Sequence, residues 1–149
     1  MPSYETTDIA IINATPSQVF RALSDEYAGK THWWTEVDSH QVGDVPLGEV
    51  GAVTVVSVHN RGITARFKWR TAEIIDGHYI RFEYHEGDIA GYADLRLLAE
   101  GETTRVEYHW SVRTRGKANI LGPLFNLKKR HQEVMQSGFA KLNAYLAAS

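Results

Sequence analysis

The sequence contains no cysteine. That absence removes disulfide bridges, thiolate metal ligands and thiol-based covalent catalysis together. No apolar run approaches the roughly 18 residues that a membrane-spanning helix requires, so no integral membrane contact is expected. The opening residues, MPSYETTDIA, lack the basic start and apolar stretch of a secretory signal, and a cytoplasmic location is the default expectation. An excess of one charge is missing as well: 16 basic side chains stand against 18 acidic ones, for a formal net charge of −2. No nucleic-acid partner is expected at that balance, because phosphate backbones are met by strongly basic faces. The basic cluster Lys128, Lys129, Arg130 reads as a solvated helix face, with a docking patch as the alternative. Phosphate-binding glycine loops, His-Glu-x-x-His spacing and a serine in a nucleophile-elbow context are all lacking. The seven histidines are scattered, so neither a metal nor another cofactor is expected.

What remains is the composition of a globular protein, 43% hydrophobic and 23% charged over 149 residues, enough for one core and hence one domain, residues 1–149. The first segment, residues 4–12, is rich in Thr and Ile and ends at NATPSQVFRALSD. There Thr15 can cap a helix with Pro16 at its first position, and Gln18 three residues on completes a capping box. Val19, Phe20 and Leu23 supply its apolar face, and the helix should end near residue 25. YAGKTHWW is read as a second short helix, weakened by Gly29.

From residue 36 to 114 the chain reads as consecutive antiparallel strands, with residues 51–114 a continuous meander. Turn signals stand at Asn60-Arg61-Gly62, at Asp76-Gly77 and at AEGE. Period-2 alternation assigns the faces. Ile63, Ala65, Phe67 and Trp69 share one side, as do Ile80, Phe82 and Tyr84, and Val106, Tyr108, Trp110 and Val112. The other side is charged. A final helix over roughly residues 120–147, or 123–147 if Gly122 and Pro123 delay its start, carries Leu121, Leu124, Phe125, His131, Met135, Gly138, Phe139, Leu142 and Leu146 at helical spacing. A sheet with one apolar face and a long closing helix should curl around that helix.

This order of elements resembles the helix-grip fold of the START-like superfamily that includes Bet v 1, an α+β architecture with a curved antiparallel sheet, two short helices after the first strand and a long C-terminal helix. More specifically, GDIAGYADLRL, TTRVEYHWSVRT and GPLFNLKKRHQEVMQSG resemble the polyketide cyclase/dehydrase and lipid-transport family. Ala90, Leu95 and Arg130 stand where that family commonly carries an acidic residue, a tryptophan and an asparagine, so its polar site is not carried over. The resemblance implies a cavity between sheet and last helix that holds apolar or aromatic small molecules.

Three functions follow as expectations. The first is binding or transport of a small hydrophobic or aromatic ligand; the second is a cyclase or dehydratase-type enzyme using the same cavity; the third is an interaction module of chaperone-activator type with a filled core. The oligomeric state stays open, a homodimer included. Phe67, Trp69, Phe82, Tyr84, Tyr108, Trp110 and Phe139 fall on inward faces, where Trp and Tyr suit a pocket with a few polar contacts and a packed core is the alternative. Trp33 and Trp34 are read as one inward residue and one at the cavity mouth, or as anchors of the join to the sheet. Gly138, in line with Met135, implies either room for a ligand or close helix-to-sheet packing. Glu86 and Asp88 place carboxylates near a cavity end unless they only form a turn. His131 is the candidate polar or catalytic group, with a core histidine satisfied by Tyr108 or Trp110 as the alternative.

Overall fold

The computed structural model describes residues 3–46, 48–87, 89–115 and 126–148. Strand β1 (Ser3–Ile12) leads into helix α1 (Pro16–Tyr27), followed by β2 (Val37–Val42), β3 (Val53–Asn60), β4 (Ile63–Ile75), β5 (Tyr79–Gly87), β6 (Ile89–Glu100), β7 (Thr103–Thr114) and helix α2 (Leu127–Ala147). The strands form one antiparallel sheet in the order β1-β7-β6-β5-β4-β3-β2. The meander closes because β1 pairs with β7, Tyr4 opposite Val112 and Ile12 opposite Thr104.

The expected alternation is present. Phe67, Trp69, Phe82, Tyr84, Tyr108 and Trp110 are buried, while Arg66, Arg70 and His85 between them are exposed. Irregular register between Lys68 and Trp69, and between Thr71 and Glu73, bends β4. Gly91 bends β6 against its neighbour: its φ is +126°, and a Cβ there would stand 2.2 Å from the Ser111 carbonyl oxygen. A sheet curved in this way wraps its apolar face around α2, whose buried side is Val134, Met135, Gly138, Phe139 and Leu142.

Helix α1 begins as its sequence requires. Thr15 accepts from the Gln18 backbone N–H at 3.3 Å, and Gln18 Oε1 accepts from the Thr15 N–H at 2.9 Å. It runs two residues beyond the expected end, which adds Glu26 and Tyr27 to its buried face.

The second short helix is a correction. Residues 28–34 form a turn and an extended loop. Gly29 holds φ +80° with the Ser39 carbonyl where a Cβ would be, at 2.8 Å. The loop then spends its polar groups on Glu26, which is 2% exposed. Thr31 Oγ1 donates to Glu26 Oε1 at 2.9 Å, the Trp33 N–H donates to the same oxygen at 3.1 Å, and the Trp34 N–H donates to Oε2 at 3.2 Å. Amides turned toward one carboxylate are lost to a helical ladder.

Helix α2 starts at Leu127, with Asn126 as its cap accepting from the Lys129 N–H. Leu121, Gly122, Pro123, Leu124 and Phe125, together with Asp88, lie outside the described residues.

Candidate functional site

Between the sheet and the first half of α2 lies a cavity of about 120 Å³. Trp69, Tyr84, Tyr108 and Trp110 form its sheet side, and His131, Val134 and Met135 its helix side. Tyr27, Trp34 and Val37 close one end. The partly exposed residues Val58, Asn60, Ile63 and Arg130 mark the side nearest solvent. There the β3–β4 hairpin is tied to the helix: Arg130 Nη1 donates to Asn60 Oδ1 at 3.1 Å, and Arg61 Nη2 donates to Glu133 Oε2 at 2.8 Å. The expected basic cluster therefore divides, with Lys128 and Lys129 on the outer side of the helix and Arg130 half-buried against the hairpin.

The aromatic wall is interlocked. Trp69 stacks on Phe82 at 4.2 Å between centroids, and Tyr27 meets Trp69 edge-on at 5.0 Å. Phe67, also lining the cavity, meets Tyr84 edge-on at 5.1 Å. Such pairs hold the rings in fixed orientations, so the void does not simply collapse.

Eight of the eleven residues expected at the site line the cavity: Trp34, Phe67, Trp69, Tyr84, Tyr108, Trp110, His131 and Met135. Phe82, Trp33 and Gly138 sit behind the wall instead. Phe82 backs Trp69, and Trp33 stacks between Trp34 and Tyr145, at 5.9 Å from each. Trp33 is thus no mouth residue.

Gly138 serves Trp34. The Trp34 indole N–H donates to the Val134 carbonyl at 3.3 Å, and a Cβ on Gly138 would stand 2.4 Å from Trp34 Cε2 and 2.7 Å from its Nε1. The helix lacks a side chain there so that an indole from the loop after α1 can lie against its backbone. Close packing accounts for this glycine, but the partner is that loop and not the sheet. Glu86 is exposed and paired with Lys68 at 2.9 Å, away from the cavity.

On the helix side, Arg130 stands toward solvent and His131 is the polar group set deeper in the wall. Its side chain is 14% exposed and its ring lies flat on Trp110, 3.8 Å between centroids at 5°. Nδ1 faces Asp8 Oδ2 at 3.6 Å. Neither atom has a hydrogen-bond partner among the described residues. The expected bond from Tyr108 or Trp110 is therefore replaced by ring stacking, and the facing polar group is a carboxylate that the sequence pattern did not reveal. Burial pushes the His131 pKa below its usual 6.5, partly opposed by Asp8. That shift favours the neutral imidazole.

The tyrosines stay protonated. Burial pushes Tyr84 up to about 12, with hydrogen bonds from Tyr108 and Trp110 pulling partly back, and pushes Tyr27 and Tyr108 well above the usual value. Among the described residues no group of three His, Asp or Glu side chains could hold a metal ion, and no helix is long and apolar enough to cross a membrane.

A curved antiparallel sheet gripping a C-terminal helix around an apolar cavity defines the helix-grip class of proteins. Residues 1–147 match the family described as polyketide cyclase / dehydrase and lipid transport, and the chain belongs to that family. Solved structures agree on the fold. A START superfamily protein from Mycobacterium smegmatis superposes with a TM-score of 0.77 at 13% identity, covering 97% of each chain. The Zhui aromatase/cyclase of Streptomyces gives 0.74 at 12% identity, over 97% of this chain and 93% of that one. A Thermus thermophilus protein gives 0.71 at 21% identity, over 98% and 99%. No curated protein matches the chain by sequence.

Proposed function

We propose that this protein binds a small apolar or aromatic molecule in the cavity between the sheet and α2. The observation that carries this reading is the void itself: about 120 Å³ bounded by Trp34, Trp69, Trp110, Phe67 and Met135 within the buried hydrophobic core. An unfilled apolar cavity forfeits dispersion contacts that a ligand of matching shape restores. Its size suits one aromatic ring, since an engineered apolar void of about 150 Å³ takes up benzene. A core meant only for protein contacts would be filled by its own side chains, so the void speaks against the interaction-module alternative. The enzymatic alternative has one observation in its favour, a neutral imidazole on the cavity wall that can accept a proton.

Three tryptophans line the cavity, so intrinsic fluorescence reports on occupancy. Titration with single-ring aromatics, fatty acids, flavonoids and aromatic polyketides is expected to quench or shift that emission for at least the smallest aromatics and to raise the melting temperature. If no compound does either, and mass spectrometry of the natively purified protein finds no co-purifying small molecule, the binding function is wrong.

A further inference from the structure

Among the described residues the cavity is lined by apolar and aromatic side chains apart from Asn60 and Arg130 on its solvent side and His131, which meets Asp8 of β1 from α2. Asp8 is an inward residue of β1, 5% exposed, and its Oδ2 has no hydrogen-bond partner among the described residues. An unpaired buried carboxylate oxygen is costly, and folded proteins rarely keep one without a use for it. The group nearest to hand is His131 Nδ1, 3.6 Å away and equally unpartnered. The stack on Trp110 fixes the plane of the imidazole. With Nδ1 turned to the carboxylate, a proton on Nδ1 is stabilised and Nε2 becomes the ring nitrogen left with a lone pair. His131 lines the cavity and Asp8 does not.

Resting on the binding function proposed above, we propose that His131 is the ligand-binding hydrogen-bond acceptor of this cavity, that Asp8 is its positioning residue, and that the ligand class is single-ring aromatics bearing a hydroxyl group, phenols in chemical terms. The ring of such a ligand fits a void of about 120 Å³ between aromatic walls. Its O–H donates to Nε2. An aromatic without a donor fills the same space and leaves that lone pair unmatched.

The groups facing His131 are Asp8 from β1 and Tyr108 and Trp110 from β7, with Tyr84 of β5 and Tyr27 of α1 across the cavity and Arg130 beside it on α2. The tyrosines hold their protons far above neutrality. Among the described residues lining the cavity, His131 is consequently the group whose protonation acid changes. Once protonated, Nε2 donates and cannot accept.

The test is a calorimetric titration of the whole protein with phenol, anisole and toluene, which share a ring and differ in the donor. Phenol is expected to bind about five- to tenfold more tightly than either of the others, the worth of one shielded hydrogen bond. His131→Leu, which carries no acceptor, is expected to erase that preference within the variant, phenol then binding no more tightly than toluene. Should that variant not fold, two other measurements decide. In the unaltered protein, phenol affinity is expected to fall on acidification while toluene affinity stays level. In Asp8→Asn, which removes the charge that raises the His131 pKa, the midpoint of that fall is expected to move to lower pH, a change a merely structural carboxylate would not produce. Equal affinities for phenol and toluene overturn the proposal while leaving the binding function standing; phenol and anisole binding alike overturn it too, because anisole donates nothing. If none of the three binds, the proposal and the binding function fall together.

Discussion

Replacing Gly138 by alanine sets two effects of similar size against each other. In an exposed helix interior the change gains about 1 kcal/mol, because alanine restricts the unfolded chain and favours the helix. Here the new methyl group would stand 2.4 Å from Trp34 Cε2 and 2.7 Å from Cζ2 and Nε1. The indole cannot step aside cheaply. Trp34 is 4% exposed, donates to the Val134 carbonyl, stacks on Trp33 at 5.9 Å and follows a backbone held by Glu26. Overpacking of this kind costs about 1–3 kcal/mol, and more where the neighbour is rigid. The net expectation for Gly138→Ala is a loss of about 1–2 kcal/mol, or roughly 2–8 °C in melting temperature for a chain of this length. Urea and thermal unfolding measure it. The double variant Trp34→Leu with Gly138→Ala should show the alanine costing less than it does alone, since the clash is removed. A Gly138→Ala protein more stable than its parent would refute the claim that this glycine exists for Trp34.

Three further outcomes are expected. Glu26→Gln should cost about 2 kcal/mol in urea unfolding, since either orientation of the amide sets its NH2 against the N–H of Trp33 or of Trp34; unchanged stability would mean the Thr31, Trp33 and Trp34 bonds carry nothing. Thr54→Val should leave stability level or raise it by about 1 kcal/mol, because Thr54 is fully buried and its hydroxyl has no partner among the described residues; a clear loss would show a missed bond. His131 has a folded pKa below its unfolded 6.5, so its contribution is complete above about pH 6.5 and is lost as pH falls through the folded value. His131→Gln should flatten the unfolding free energy in that window, and an unaltered acid slope would contradict the burial of the ring.

The sheet was legible because β4, β5 and β7 state their faces twice, in apolar residues and in the polar and charged ones between them, as in Phe67, Lys68, Trp69, Arg70. Strand β1 reverses that rule. Its isoleucines Ile9 and Ile11 point outward and are exposed, while Thr6 and Asp8 point inward. Asp8 was missed because hydropathy argues against the face it occupies. Tyr27 was missed because α1 runs past its expected end, although Val19, Leu23 and Tyr27 continue at helical spacing. The false second helix has a different cause: Glu26 captures Thr31, Trp33 and Trp34 through tertiary geometry that no local pattern announces. Gly138 was legible as a space but not as a space for Trp34, a partner far away in the chain. Ala90 and Leu95, which depart from the family pattern, are simply buried core residues.

The central claim is that the void beside His131 is a binding site, and filling it from within tests that most directly. Val58 lines the cavity and is partly exposed, so a Val58→Phe substitution places a ring in the void while remaining able to fold. Affinity for toluene and phenol should be measured by tryptophan fluorescence on parent and variant at one temperature. The parent is expected to bind both, and the variant, of equal or higher melting temperature, to lose both by at least about tenfold. A stable variant that binds as the parent does would contradict the claim.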